Sequence, residues 1–167
     1  VWLALAFAPS SLLLGATQFI TTDVASVPLL WVVPLALYLA SFILAFAKKQ
    51  IFPLPVAARA LALLAAVLAV SKLAQMVGPV SVVVTLHLLF LFVGSVVCHR
   101  VLALRRPHHT RLTEFYLLLS LGGVLGGVFN GLVAPVIFHD LLEYPIAIAL
   151  VCLAPLGASL AGERSLA

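Results

Sequence analysis

Charge is what this sequence has least of: only 8% of its 167 residues are Asp, Glu, Lys or Arg. A soluble domain carries about a quarter. A chain so poor in charge would not stay dispersed in water as a monomer, which excludes an ordinary soluble enzyme. Acids are scarcer than bases, five against nine. Cysteine occurs twice, at Cys98 and Cys152, both in or beside apolar runs. Two isolated cysteines make no disulfide framework, and they read as small buried residues. No cysteine pair and no HExxH arrangement is present, so a zinc site is not expected. Ser10 and Ser11 follow Pro9 with no histidine or acid at local spacing, which gives hydrolytic chemistry no motif. The chain is expected not to be an enzyme.

Apolar residues are abundant instead. They make up 65% of the chain, and the mean hydropathy is +1.29. A spanning helix needs about 20 such residues. Apolar runs punctuated by turn residues predict an all-α, polytopic membrane protein of about six transmembrane helices. The expected spans are 2–20, 29–47, 56–76, 80–104, 113–133 and 141–161, in a single domain covering 1–167. Pro9 makes the first span the one that could break in two. The breaks fall at Thr21–Pro28, Pro53 and Pro55, Gly78-Pro79, the basic loop 105–111, and Pro135 with His139-Asp140.

The cations test this map. Six crossings put Lys48, Lys49, Arg59, Arg100, Arg105, Arg106, Arg111 and Arg164 on one side, and only Lys72 on the other. The side rich in Lys and Arg belongs in the cytoplasm, so both termini are expected there. Asp23, Asp140 and Glu143 collect on the external side. The basic loops therefore point to anionic lipid, not to nucleic acid. The chain opens at Val1, and its first run lacks the basic flank of a signal peptide. A piece of a longer polypeptide is expected.

The fifth span holds Gly122-Gly-Val-Leu-Gly126-Gly127-Val-Phe-Asn130-Gly131. Gly122 and Gly126, Gly123 and Gly127, and Gly127 and Gly131 are each four apart. Such rows let another helix backbone approach closely. A nucleotide-binding loop would need a preceding strand and water around the phosphates, so helix packing is the better reading.

Asn130 is costly in hydrocarbon unless it finds partners. It lies about 24 Å along the helix from Glu114, toward the outer side. Its expected partners are Thr17, Gln18, Thr21, Thr22, Asp23, His139, Asp140 and Glu143. It reads as a packing clamp or, with Asp23 and Glu143, as part of a cation or polyamine site. An inner cluster of His99, Arg100 and Glu114 reads as a loop-pinning salt bridge or as a proton relay. Thr110 or Thr113 is expected to cap the fifth helix, with Glu114 in its first turn.

His87 and His99 are twelve residues apart on one helix, about 18 Å along it, too far to share a metal. His87 alone could ligate a haem or chlorophyll; otherwise no cofactor is expected. His108 and His109 lie in the basic loop, where lipid headgroups or a partner protein are the expected contacts.

Several short runs resemble the membrane part of bacterial fused major-facilitator/spermidine-synthase-like proteins. They are Ala8-Pro-Ser-Ser-Leu-Leu-Leu-Gly15, Thr21-Thr-Asp23, Val27-Pro-Leu-Leu-Trp31, Pro34-Leu-Ala-Leu-Tyr38 and Cys98-His99. Leu112-Thr-Glu-Phe-Tyr116, the glycine run to Asn130, Ala134-Pro135 and Glu143-Tyr-Pro145 continue the series in order. The resemblance implies the bacterial cytoplasmic membrane and a transporter-like region. It also implies a cytosolic aminopropyltransferase-like domain, but the glycine-rich strand-turn-helix of that domain is absent here. The leading expectation is thus a transporter-like membrane module for a cation or polyamine, using Asp23, Asn130 and Glu143 outside and His99 and Glu114 inside. An accessory or scaffold subunit packed against other membrane chains is the alternative. A pigment protein built on His87 is the third.

Overall fold

A computed structural model describes residues 1–24, 29–47, 53–74, 78–138 and 142–156, with the backbone alone at Asp23 and Val24. All its regular elements are helical, as they must be where no water is present to satisfy backbone groups. Helix α1 spans Trp2–Phe19 and runs unbroken through Pro9. A π-helical turn, Ile20–Val24, extends it. Helix α2 spans Val32–Phe46, α3 Leu54–Leu73 and α4 Val80–Leu104. Pro53 and Pro79 stand at the N-caps of α3 and α4, where an absent N–H costs no helical hydrogen bond. Helix α5 spans Leu112–Val128 and passes through a second π-helical turn, Phe129–Val133, into α6, Ala134–Ile137. Pro135 lacks an N–H, and in the turn before it the Ala134 N–H reaches back to the Phe129 carbonyl. Helix α7 spans Glu143–Cys152, with Pro145 in its tolerant first turn.

Among the described residues, four helical segments are long and apolar enough to cross a membrane: Trp2–Thr22, Leu54–Leu73, Val80–Leu104 and His109–Ile137. The expected spans 29–47 and 141–161 correspond to shorter apolar helices, Val32–Phe46 and Glu143–Leu156. The 15 residues of α2 rise about 22 Å against a hydrocarbon core of about 30 Å. Lys48, Lys49 and Arg164, used in the charge argument, lie outside the described residues.

Side-chain register fixes the relative directions of the helices. Leu3, Phe7 and Ser11 of α1 meet Gly122, Gly126 and Asn130 in turn, so α1 and α5 run parallel. Along α4 the order reverses. The Trp2 indole donates to the Arg105 carbonyl at 3.0 Å, Leu12 lies beside Gly94, and Phe19 stacks on His87 with ring centres 4.6 Å apart. Helix α7 runs with α4: Tyr144 is beside His87 and Val151 beside Gly94. One end of the bundle therefore carries Trp2, Arg105, Arg111 and Phe115. The other carries Phe19, His87 and Tyr144, with Lys72 within electrostatic reach of His87.

The core lies where α1, α3, α4 and α7 meet, around Leu12, Leu61, Phe90, Leu91, Val97 and Val151. Outward faces of α3 (Val56, Leu63, Val67, Val70) and α5 (Leu117, Leu121, Val124) are exposed and apolar, as lipid contact requires.

Only part of the expected glycine packing is used within the chain. A Cβ at Gly122 would lie 2.5 Å from the Leu3 carbonyl oxygen and 2.8 Å from Ala6 Cβ. At Gly126 it would lie 2.9 Å from the Phe7 carbonyl oxygen. Gly123 and Gly131 have nothing within 4 Å of that position, and Gly127 only Leu14, at 3.9 Å. The four-residue spacing specifies rows, but only the row turned toward α1 is closed by a neighbour. Gly122→Ala should therefore destabilise the protein in detergent by about 2 kcal/mol through overpacking. Gly123→Ala should hold or slightly raise stability, since alanine is the better helix former. Thermal unfolding of the two variants checks the contrast.

Candidate functional site

Among the described residues, the buried polar side chains other than Ser95, whose hydroxyl has no hydrogen-bond partner, fall at three places. The first is Asn130, in the π-helical turn after α5. Its amide donates to Ser11 Oγ at 2.7 Å and to the Gly126 carbonyl at 3.0 Å. Asn130 is buried, and its Oδ1 has no hydrogen-bond partner. Ser11 is not among the expected partners, and none of the expected partners within the described residues bonds Asn130. Thr17 and Thr21 instead bond carbonyls of their own helix, Leu13 at 2.6 Å and Thr17 at 2.8 Å. His139 and Asp140, also named as partners, lie outside the described residues, as does the side chain of Asp23. Beside the clamp, Ser10 Oγ donates to the Gly123 carbonyl at 2.9 Å, adding a second polar tie across the α1–α5 seam.

The second place is the start of α7. Glu143 is only 2% exposed, and its Oε2 has no hydrogen-bond partner. The next residue, Tyr144, packs against Gly15, stacks near Phe19 at 5.6 Å and lies 5.7 Å from the His87 ring. The Tyr144 hydroxyl is likewise buried without a partner. Gly15 lies one turn beyond Ser11 on α1, so the Tyr144 contact and the Asn130 contact meet α1 about 5.4–6 Å apart along its axis. An acid in the first turn of a helix is favoured by the macrodipole, but that leaves Oε2 without a donor. The start of α7 thus offers a carboxylate oxygen and a phenol, and the α1–α5 seam an amide oxygen, each without a hydrogen-bond partner among the described residues.

His87 itself is engaged by its surroundings. Its Nδ1 lies 2.8 Å from the Val83 carbonyl, and Phe19 covers one ring face. Nε2 is the ring atom left for a metal. Among the described residues, no group of three or more His, Cys, Asp or Glu side chains is placed to hold a metal ion.

The third place is the inner cluster, which the structure distributes instead of gathering. His99 is buried between α2 and α4. Its Nδ1 is 3.0 Å from Ser41 Oγ, with Tyr38 and Phe42 edge-on at 5.1 and 4.8 Å. Arg100 donates to the Ala45 carbonyl at 2.9 Å. Glu114 is exposed at the loop and pairs with Arg111 through two hydrogen bonds of 2.8 Å. The expected approach of His99 and Arg100 to Glu114 is therefore not made, because Arg111, three residues before Glu114 on the same turn, takes the carboxylate first. Nor does Thr110 or Thr113 cap α5: the N-cap is Arg111, with no side-chain cap bond.

Neither Ser11 nor Ser41 was identifiable as a site residue from sequence. A hydroxyl one turn from a small residue inside an apolar run is the signal each offers, and it does not name a partner 119 residues away, as for Ser11, or 58 away, as for Ser41. In comparisons with known proteins, the chain matches no family model, no curated protein and no solved structure.

The Asn130–Ser11 bond should register in a double-mutant cycle. Combining Asn130→Ala with Ser11→Ala, a coupling of about 0.6 kcal/mol is expected, the usual size for an interhelical hydrogen bond in a membrane. Unfolding free energies in detergent micelles measure it, and a coupling of zero would show that the amide is held by Gly126 alone.

Proposed function

We propose that this chain is a transporter-like membrane module that takes up a cation or polyamine at the end of the bundle carrying Glu143. The single observation behind this reading is the Glu143 carboxyl, 2% exposed with Oε2 unpartnered. Burying an unpaired carboxylate is expensive, and the cost is relieved when a cation or donor arrives. Asn130 Oδ1 and the Tyr144 hydroxyl, also unpartnered, add neutral ligands of the kind an ammonium group accepts. We include Asp23, in the π-helical turn after α1, as a further acid of the proposed site. His99 and Glu114 have no part in this site.

The proposal includes six crossings of a bacterial cytoplasmic membrane, with both ends inside. Helix direction supports it. The first and fifth helices run together, α4 runs against α1, and α7 runs with α4, as alternate crossing demands. The resemblance to the membrane region of fused major-facilitator/spermidine-synthase-like proteins points the same way, and it is the reason a polyamine is named.

A second reading, an accessory subunit within a larger membrane assembly, is favoured by one specific feature. Gly123 and Gly131 face open space, and Gly127 nearly so, a row that a helix of another chain could close.

Two experiments test these readings. In liposomes, the wild-type protein should bind or take up radiolabelled spermidine, and Glu143→Gln should weaken that by about tenfold or more, the loss of one buried charge pair of about 1.4 kcal/mol. A Gln variant as active as wild type, or a wild type with no spermidine signal, would leave the accessory role. For topology, Arg106→Cys and Lys72→Cys in a background lacking Cys98 and Cys152 should react with a membrane-impermeant maleimide from opposite faces. Labelling from the same face would refute six crossings.

A further inference from the structure

We propose that the α4–α5 loop forms a binding site for the phosphate group of an anionic phospholipid. A cavity of about 410 Å³ opens there, lined by Arg106, Pro107, His108, His109 and Leu112. Every ionisable side chain lining it is basic. Glu114, the carboxylate nearest in sequence, is held by Arg111 in two 2.8 Å hydrogen bonds and so does not neutralise the cavity. Arg106 has no carboxylate partner among the described residues. Its guanidinium is held 5.9 Å over the Tyr116 ring, a contact that positions the charge without cancelling it. The His108 and His109 rings touch edge to face at 4.5 Å, so both imidazoles stand at the same rim.

The setting selects a lipid over a free anion. Leu112 forms the apolar side of the cavity. Leu104 and Leu117, one on each helix beside the loop, are exposed at 56% and 63%. Acyl chains can run down these side chains while the phosphate sits between the Arg106 guanidinium and the two imidazoles. Trp2 and Tyr116 mark the same level, where aromatic side chains anchor helices at the membrane surface. Arg111 over the Trp2 ring at 5.7 Å ties the loop to the start of α1.

The test is native mass spectrometry of the purified protein released from mild detergent. It compares dioleoyl phosphatidylglycerol, dioleoyl phosphatidylcholine and inorganic phosphate as probes. Wild type should retain phosphatidylglycerol over phosphatidylcholine. Arg106→Gln should lower that preference about fivefold, the factor expected for one basic side chain at an anionic surface. His108→Asn with His109→Asn should lower it further. Arg106→Lys should keep it, which separates lost charge from a damaged loop. Arg59→Gln, which removes an exposed cation on α3, should leave it unchanged. Equal retention of the two lipids by wild type would overturn the proposal. So would an equal loss in Arg59→Gln and Arg106→Gln. Displacement of the lipid by equimolar inorganic phosphate would overturn it as well, by making the site one for free anions.

Discussion

Within hydrocarbon, a polar group has no water to bond, so each one must be satisfied by the chain or by something the chain binds. That constraint places the few polar side chains of this protein. Thr17, Thr21 and Thr85 turn back onto carbonyls three or four residues earlier. Asn130 crosses to Ser11, Ser10 to the Gly123 carbonyl, and His99 to Ser41. Close helix approach is what makes the first two of these bonds reachable. With a side chain at Gly122 or Gly126, α1 and α5 would stand too far apart for a serine hydroxyl to meet an amide or a carbonyl on the facing helix. Packing and polar satisfaction are therefore one device along that seam.

The two ends of the bundle solve the same problem differently. At the loop end, cations are exposed, and they are steadied by rings and one surface ion pair: Arg111 with Glu114 and Trp2, Arg106 with Tyr116. Water and headgroups supply the rest, so these contacts contribute orientation more than stability. At the opposite end the carboxyl of Glu143 is enclosed, and Phe19, His87 and Tyr144 wall the region with stacked rings. An exposed charge costs little to leave without a partner, and an enclosed one costs much. An enclosed carboxyl such as that of Glu143 calls for a compensating ligand, whereas an exposed basic loop suits contact with a charged surface.

Much of the architecture was legible in the sequence because hydrocarbon imposes a simple rule of length and apolarity. Helices α1 to α4 lie within a few residues of the expected runs, while much of the sixth run, 141–161, lies outside the described residues, and Pro53, Pro79 and Pro135 stand at element boundaries as proline chemistry requires. Pro9 is the exception, buried within an unbroken α1. What was not legible is which face of each helix meets another. In a soluble helix, the polar face marks the outside. Here lipid and protein interior are equally apolar, and the hydropathy pattern carries almost no direction. Gly122 and Gly123 are therefore indistinguishable as letters, though a Cβ at the first would press on the α1 backbone and a Cβ at the second would meet no neighbour among the described residues. The partners of Asn130 and His99 were missed for the same reason. Choosing Ser11 over Thr17, or Ser41 over Glu114, requires knowing how each helix is rotated.

Helix α1 resolves that rotation for the rest of the bundle. Its buried residues include Ala6, Ala8, Ser11, Gly15 and Ala16, side chains short enough for neighbours to come close on several faces at once. Helix α5 uses the face at Leu3, Ala6, Phe7 and Ser11, and Tyr144 of α7 uses Gly15. Trp2 fastens one end of α1 to the Arg105 carbonyl, and Phe19 fastens the other to His87. A single stiff element thus sets the register of both ends. A change in how α7 sits at Gly15 would act on the same helix that holds Asn130 at Ser11 and the basic loop at Trp2. The enclosed carboxyl and the basic loop, at opposite ends of the bundle, share that one mechanical reference.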